Sequence, residues 1–286
     1  MNTHSTSKPK ISIVTPSFNQ GQFIEETIQS IINQNYPNLE YMIIDGGSTD
    51  NTVQIIKKYE KYLTYWVSEK DSGQSEAINK GFARATGEII CWLNSDDILM
   101  ADALNKVADF FSSNKNLDLV NGQTVLIDKN SKIISSHFTL KQKKWYARHG
   151  IFYINQPAMF WRRTIFNSTG LLDNDFHTLM DREFLIRVFE NDFNVGHLET
   201  FLAGFRIHDL AKSAGNSVSL KWFTMENKRL LELYRNSYGQ RPKFLFKSIY
   251  RIDKLISGIY LKQFFFTMRW KGRSIKELNS KTSRYL

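Results

Sequence analysis

The sequence has one cysteine, Cys91, in 286 residues, so no disulfide can form within the chain. Cys91 sits inside an apolar run and reads as a packed thiol. No uncharged apolar stretch approaches the roughly 20 residues that a bilayer-spanning helix needs. The N-terminal MNTHSTSKPK is polar, without the apolar segment of a secretory signal. With a single thiol, the expected compartment is a reducing cytoplasm. Five of the six histidines show no partner spacing that suggests a zinc site. There is no internal repeat and no low-complexity tract, and no nucleic-acid-binding module is legible.

What is present is apolar and aromatic, 42% and 14% of the residues, enough for a large core. The net charge of +10 is unevenly placed. Residues 216–286 carry 16 Lys/Arg and 4 Asp/Glu, whereas residues 1–215 carry 22 and 24. The whole positive excess lies in the last quarter, where basic residues mix with aromatics at helical spacing. That composition suits an anionic membrane interface. The alternative is an apolar face packed on the rest of the chain or on a twin subunit. The sequence therefore divides into residues 1–215 and a basic, aromatic, helical tail, 216–286.

The first part alternates strand and helix. Ile11–Pro16 predicts a strand, Gln22–Asn33 an amphipathic helix, Leu39–Asp45 a strand, Asn51–Glu60 a helix, Leu63–Ser68 a strand and Ser72–Ala85 a helix. Glu88–Leu93 follows as a strand without polar alternation, so buried on both faces as in a parallel sheet covered by helices. Asp102–Ser112 predicts a helix. Short strands are predicted at Leu117–Asn121, Thr124–Asp128, Ile133–His137, Ala158–Trp161, Asn194–His197 and Ala203–His208. A helix is predicted at Arg182–Glu190, capped by Asp181. Such alternation is the signature of a parallel α/β sheet, whose ligands bind beyond the carboxyl ends of the strands.

Thr15, Asp45 and Asp96 fall at that rim. The strand ending in Asn94-Ser95-Asp96-Asp97 puts two adjacent carboxylates at the sheet mouth. They repel unless something positive compensates, and a hard divalent cation completed by a substrate diphosphate would do so. A second reading makes Asp96 or Asp97 a group near the N-terminus of the next helix. Asp45, before Gly46-Gly47, can accept hydrogen bonds from a base or ribose, or simply close an Asx-turn.

IVTPSFNQGQFIEETIQSIINQNYPNLEYMIIDGGSTDNT and DSGQSEAINKGFARATGEIICWLNSDD together resemble the donor-binding half of the family 2 glycosyltransferases. The resemblance covers residues 10–120 strongly and 150–210 more weakly. It implies a GT-A fold, a Rossmann-like, mostly parallel sheet flanked by helices. The activity it implies is metal-dependent, inverting transfer of a sugar from a nucleotide-diphosphate sugar to a glycan or lipid-linked acceptor, in cell-surface polysaccharide synthesis. Thr15, Pro16 and Asp45 are then expected at the nucleotide, with Asp71 as a further donor contact. Asp96 is the implied Mn2+ or Mg2+ ligand, and Asn94 and Ser95 stand in the rest of the metal-binding motif, with Asn94 where the family's first Asp stands. His208 could join the metal and Lys212 the phosphate. FHTLMDREFLIR resembles the acidic segment that opens a helix, making Asp181 the base and Glu183 a second acid on the acceptor side. Gln156 resembles an acceptor-side strand entry. Two alternatives are a sugar-nucleotide nucleotidyltransferase, for which no Gly-rich, basic N-terminal loop is found, and a membrane scaffold with a decayed donor site.

Overall fold

The computed structural model describes residues 8–147, 149–209, 211, 217–236 and 243–282. The strands are β1 (Ile11–Ser17), β2 (Leu39–Asp45), β3 (Tyr65–Ser68), β4 (Ile89–Trp92), β5 (Ile98–Leu99), β6 (Leu119–Ile127), β7 (Ile133–His137), β8 (Met159–Arg162) and β9 (Val195–Arg206). The helices are α1 (Ile24–Ile32), α2 (Thr52–Lys58), α3 (Gln74–Arg84), α4 (Ala103–Ser113), α5 (Lys144–Ala147), α6 (Phe166–Thr169) and α7 (Met180–Glu190). Four more follow, α8 (Ser217–Leu233), α9 (Lys243–Ile256), α10 (Ile259–Trp270) and α11 (Ile275–Thr282).

One mixed sheet runs β3-β2-β1-β4-β8-β6-β9-β5, with β7 paired to β6. The β3-β2-β1-β4 half is parallel. β8 is antiparallel to both β4 and β6, while β6 and β9 run parallel. Alternate residues of the apolar strands feed opposite faces. Val14, Ile90 and Trp92 pack under α3 and α7, in a core that includes Phe82 and Phe184. Ile13, Ile89 and Cys91 pack under α1 and α4, against Ile28 and Val107. Both faces are covered, so these strands carry no polar alternation.

Two pairs of expected short strands merge. Thr124–Asp128 joins Leu117–Asn121 in β6, and Ala203–His208 joins Asn194–His197 in β9. Gly122 interrupts the apolar pattern between the two segments of β6. A Cβ there would lie 2.4 Å from Leu202 Cδ1, so glycine is what lets β9 come alongside β6.

Much of the tail is folded onto the rest. Leu230 of α8 enters the core beneath α7. Trp270, Ile275 and Leu278 pack on Val125, Ile127 and Ile133, and Phe246 packs with Tyr146 and Tyr153. Among the described residues no helix is long and apolar enough to cross a membrane.

Candidate active site

A cleft of about 1000 Å3 opens beyond the carboxyl ends of β1, β2 and β4. Its walls are the Pro16–Phe18 segment, Gly46, the Asp71–Gln74 turn, Asn94–Asp96, Gln156, His177–Arg182 and the first turns of α8. The volume suits a nucleotide-sized ligand.

The adjacent carboxylates after β4 avoid one another by facing opposite ways. Asp96 lines the cleft, with Oδ2 2.9 Å from His208 Nε2. Asp97 points into the protein, where Oδ1 accepts the Arg206 N–H at 2.9 Å and Oδ2 accepts Asn94 Nδ2 at 3.3 Å. Burial, and then the Asp96 charge, push the Asp97 carboxyl well above its ordinary range. Arg206 is itself buried. Its guanidinium donates to the Asp96 carbonyl at 2.7 Å and pairs with Glu26 at 2.6 Å. The Asp96-Asp97 turn is thus bolted from beneath. Neither carboxylate caps the next helix, because β5 intervenes and α4 begins after Asp102.

Asn94 is the centre of an amide chain. Its Oδ1 accepts Gln74 Nε2 at 2.7 Å, and its Nδ2 donates to Gln156 Oε1 at 3.1 Å. Gln156 in turn donates to the Trp92 carbonyl at 2.9 Å. Asn94 therefore orients its neighbours, with its amide oxygen committed to Gln74. Ser95 lines the cleft, and its carbonyl is held by the Thr27 hydroxyl at 2.9 Å.

On the β1–β2 side, Pro16, Gly46 and Asp71 line the cleft. A Cβ on Gly46 would sit 2.8 Å from Asp71 Oδ2, so the glycine makes room for that carboxylate. Burial raises the Asp71 pKa, against the Gly73 N–H that favours the charged form. Thr15 and Asp45 do not reach the cleft. The Thr15 hydroxyl is buried 3.2 Å from the Tyr41 hydroxyl. Asp45 is fully buried and accepts from the Ser48 N–H, the Ser48 hydroxyl and the Ser68 hydroxyl, at 2.9, 2.5 and 2.7 Å. It closes the turn that carries Gly46.

Across the cleft, Asp181 lies inside the first turn of α7, not at its cap, and lines the cleft with Arg182. Its Oδ1 accepts the Arg182 N–H at 2.7 Å. Burial raises its pKa; the Arg182 N–H and charge oppose this, and the Glu226 charge adds to it. The open N–H groups ahead of α7 are met from α8. Glu226 accepts the N–H groups of His177, Thr178 and Leu179 at 2.6, 2.9 and 2.8 Å, and the Thr178 hydroxyl at 2.7 Å. Glu183 is also not brought to the cleft. It is buried against Arg187, with contacts of 2.7 and 2.6 Å, and accepts the Tyr234 hydroxyl at 2.5 Å. About half a helical turn decides this, since residues two apart on a helix point to nearly opposite sides.

Lys212 lies outside the described residues. Sequence reasoning placed Gln74 at the rim with Asp71 and Arg206 in the His208 loop without a role for either, and it missed Glu226. Glu226 carried a signal, because it shares a helical stripe with Trp222 and Leu230, where a lone carboxylate needs partners. Among the described residues, no three His, Cys, Asp or Glu gather as a metal cage. Asp96 offers an oxygen donor at the cleft, and His208, buried and not part of the cleft lining, holds a nitrogen 2.9 Å from that carboxylate. That fits a cation held by few protein ligands and completed by phosphate and water.

Residues 12–170 match the family described as Glycosyl transferase family 2. TuaG, a Bacillus subtilis glycosyltransferase attributed to teichuronic acid biosynthesis, is 39% identical over 108 residues, 36% of this chain and 42% of that protein. A Mycobacterium tuberculosis PGL/p-HBAD biosynthesis glycosyltransferase is 31% identical over 189 residues, 64% of this chain and 71% of its own length. Among solved structures, S. aureus TarS 1–349 in complex with UDP-GlcNAc superposes with a TM-score of 0.59 at 18% identity, covering 83% of this chain and 69% of that one. The mannosyltransferase PcManGT from Pyrobaculum calidifontis, in complex with GDP-Man and Mn2+, has a TM-score of 0.57 at 17% identity, covering 78% and 65%. The chain spans 42% of TuaG and 41% of the longer TarS chain.

Proposed function

Because the chain belongs to glycosyl transferase family 2, we propose that it moves a sugar, with inversion, from a nucleotide-diphosphate sugar to a hydroxyl of a glycan or lipid-linked acceptor in cell-surface polysaccharide synthesis. The observation that carries this reading is one cleft lined by Asp96, which pairs with His208, and by a base-like carboxylate, Asp181. The bound nucleotide-sugars of TarS and PcManGT support the donor class.

Inverting transfer requires a leaving diphosphate to be neutralised and an acceptor hydroxyl to lose its proton, in line across the anomeric carbon. Asp96 and His208 would hold a divalent cation, which when bound neutralises the diphosphate. The histidine nitrogen favours Mn2+ over Mg2+, which prefers oxygen alone. Pro16, Gly46 and Asp71 form the nucleotide wall, where the Asp71 carboxylate accepts from base or ribose. Lys212, in the segment after His208, is our candidate for a phosphate contact. Asn94 and Gln156 hold the floor beneath the sugar. Asp181 takes the acceptor proton. Its burial-raised pKa makes it a stronger base than an exposed carboxylate.

The test is thermal stabilisation of the whole protein by UDP-, GDP- and dTDP-sugars, with and without Mn2+. A donor at about 100 times its Kd adds about 2.7 kcal/mol of stability. We expect one nucleotide class to stabilise the protein only with the metal, and Asp96→Ala to lose that increment. Stabilisation by none of them would favour the scaffold reading.

A further inference from the structure

Helix α10 is apolar on two sides. Its inner side packs into the protein through Ile259, Phe266 and Trp270, with Phe266 ringed by Phe138 and Phe201 at 6.0 and 5.0 Å. Its outer side carries Leu261, Phe264, Phe265 and Met268, whose spacing places them on one face. Leu255 and Ile256, at the end of α9, precede it across the turn at Gly258. These six side chains are 57–79% exposed. Solvent-facing Phe264-Phe265 is costly for a face left in water.

Charge says what covers it. Residues 243–270 hold six Lys/Arg and one acid, Asp253. That acid is already engaged by Lys143 at 2.9 Å and the Tyr146 hydroxyl at 2.5 Å. Arg251, Lys262 and Arg269 stand exposed beside the apolar side chains. A two-fold contact with a second copy would set this basic rim against itself, whereas an anionic bilayer attracts it. At 12 residues, α10 is roughly 18 Å long, too short to span the hydrocarbon core of about 30 Å.

We infer that the outer face of α10, with the end of α9, docks on an anionic phospholipid surface, lying in the interface with Leu261, Phe264 and Phe265 among the acyl chains. This goes beyond the sugar-transfer reading and does not depend on it. It would hold the cleft near a lipid-linked acceptor.

The experiment is co-sedimentation of the full chain with vesicles of phosphatidylglycerol and phosphatidylcholine, and with phosphatidylcholine alone. Binding should be at least about tenfold tighter to the anionic vesicles. It should fall between about 0.1 M and 1 M salt, as the screening length shrinks from about 10 to about 3 Å. The triple variant Leu261→Gln/Phe264→Gln/Phe265→Gln should lose at least about tenfold in vesicle affinity, with its melting temperature and donor stabilisation intact. Donor stabilisation, measured on the same samples, reports separately on the transfer reading. Wild-type protein that ignores anionic vesicles overturns the inference. So does a triple variant that binds them normally, or one that only dissolves a wild-type dimer.

Discussion

Replacing Asp181 by Asn tests the proposed base with two readouts of opposite sign. Asn keeps the side-chain shape and an oxygen for the Arg182 N–H, now 2.7 Å from Asp181 Oδ1; it removes only the proton acceptor. Turnover should fall by about two to four orders of magnitude, or roughly 2.7–5.4 kcal/mol of barrier at about 1.36 kcal/mol per decade. Donor affinity should stay near wild type, because Asp181 belongs to the opposite wall from the nucleotide side. Stability should move the other way. Burial raises the folded-state pKa of Asp181 above that of the unfolded chain, so at neutral pH the folded protein bears a carboxylate it holds less well. Asp181→Asn should therefore melt higher than wild type at neutral pH. The gap should close as pH falls below the unfolded carboxyl pKa of about 3.9, where Asp181 is protonated in both states. Wild-type turnover should also decline as pH falls through the raised pKa, a limb that the variant lacks. The assay is steady-state transfer against pH, paired with thermal melts. Unchanged turnover at neutral pH would refute the base role, and a joint fall of turnover and melting temperature would trace the loss to the fold.

Asp96→Ala should abolish transfer with the fold intact, and His208→Ala should weaken stabilisation by Mn2+ and donor together; metal titrations followed by thermal shift check both. Glu226→Gln turns an amide NH2 toward backbone N–H groups that now meet a carboxylate, leaving one or two unsatisfied at about 1–3 kcal/mol each. It should lower the melting temperature and also kcat, with the donor KM unchanged, since the turn it holds leads into Asp181; unchanged kcat in the folded enzyme would show that the turn is held without it. Glu183→Ala breaks a buried pair with Arg187 and should cost about 3–5 kcal/mol of stability, visible in denaturant melts, while the folded fraction keeps its donor affinity and turnover.

The parallel half of the sheet was legible because its signals are local. β2 covers the Leu39–Asp45 segment read from the sequence, and β1, β4, α1 and α3 fall within a few residues of their expected bounds. Apolar period and turn residues write such elements directly into the chain. The antiparallel placement of β8 was not legible, nor was the fusion of β6 and β9 across their breaks, since both depend on pairing between segments far apart in sequence.

At the cleft, the sequence by itself determined that Asn94, Ser95 and Asp96 end a doubly buried strand, and that an acidic pair opens a late helix. Tertiary structure decided which of those carboxylates meets solvent. Asp96 and Asp97 are neighbours, yet only Asp96 faces the cleft, because Arg206 and Asn94 take Asp97 inward. Asp181 and Glu183 are two residues apart, and Arg187 with Tyr234 claims the second. Asp45 was recognisable as a strand-end acid, but Ser48 and Ser68 had already filled its hydrogen-bonding capacity. In the tail, composition determined an aromatic and basic character, and packing decided which aromatics turn inward with Trp270 and which stay outside with Phe265. The physical reason is common to all of these. Periodicity and residue type say what a side chain could satisfy, but its partners come from segments brought close only by folding.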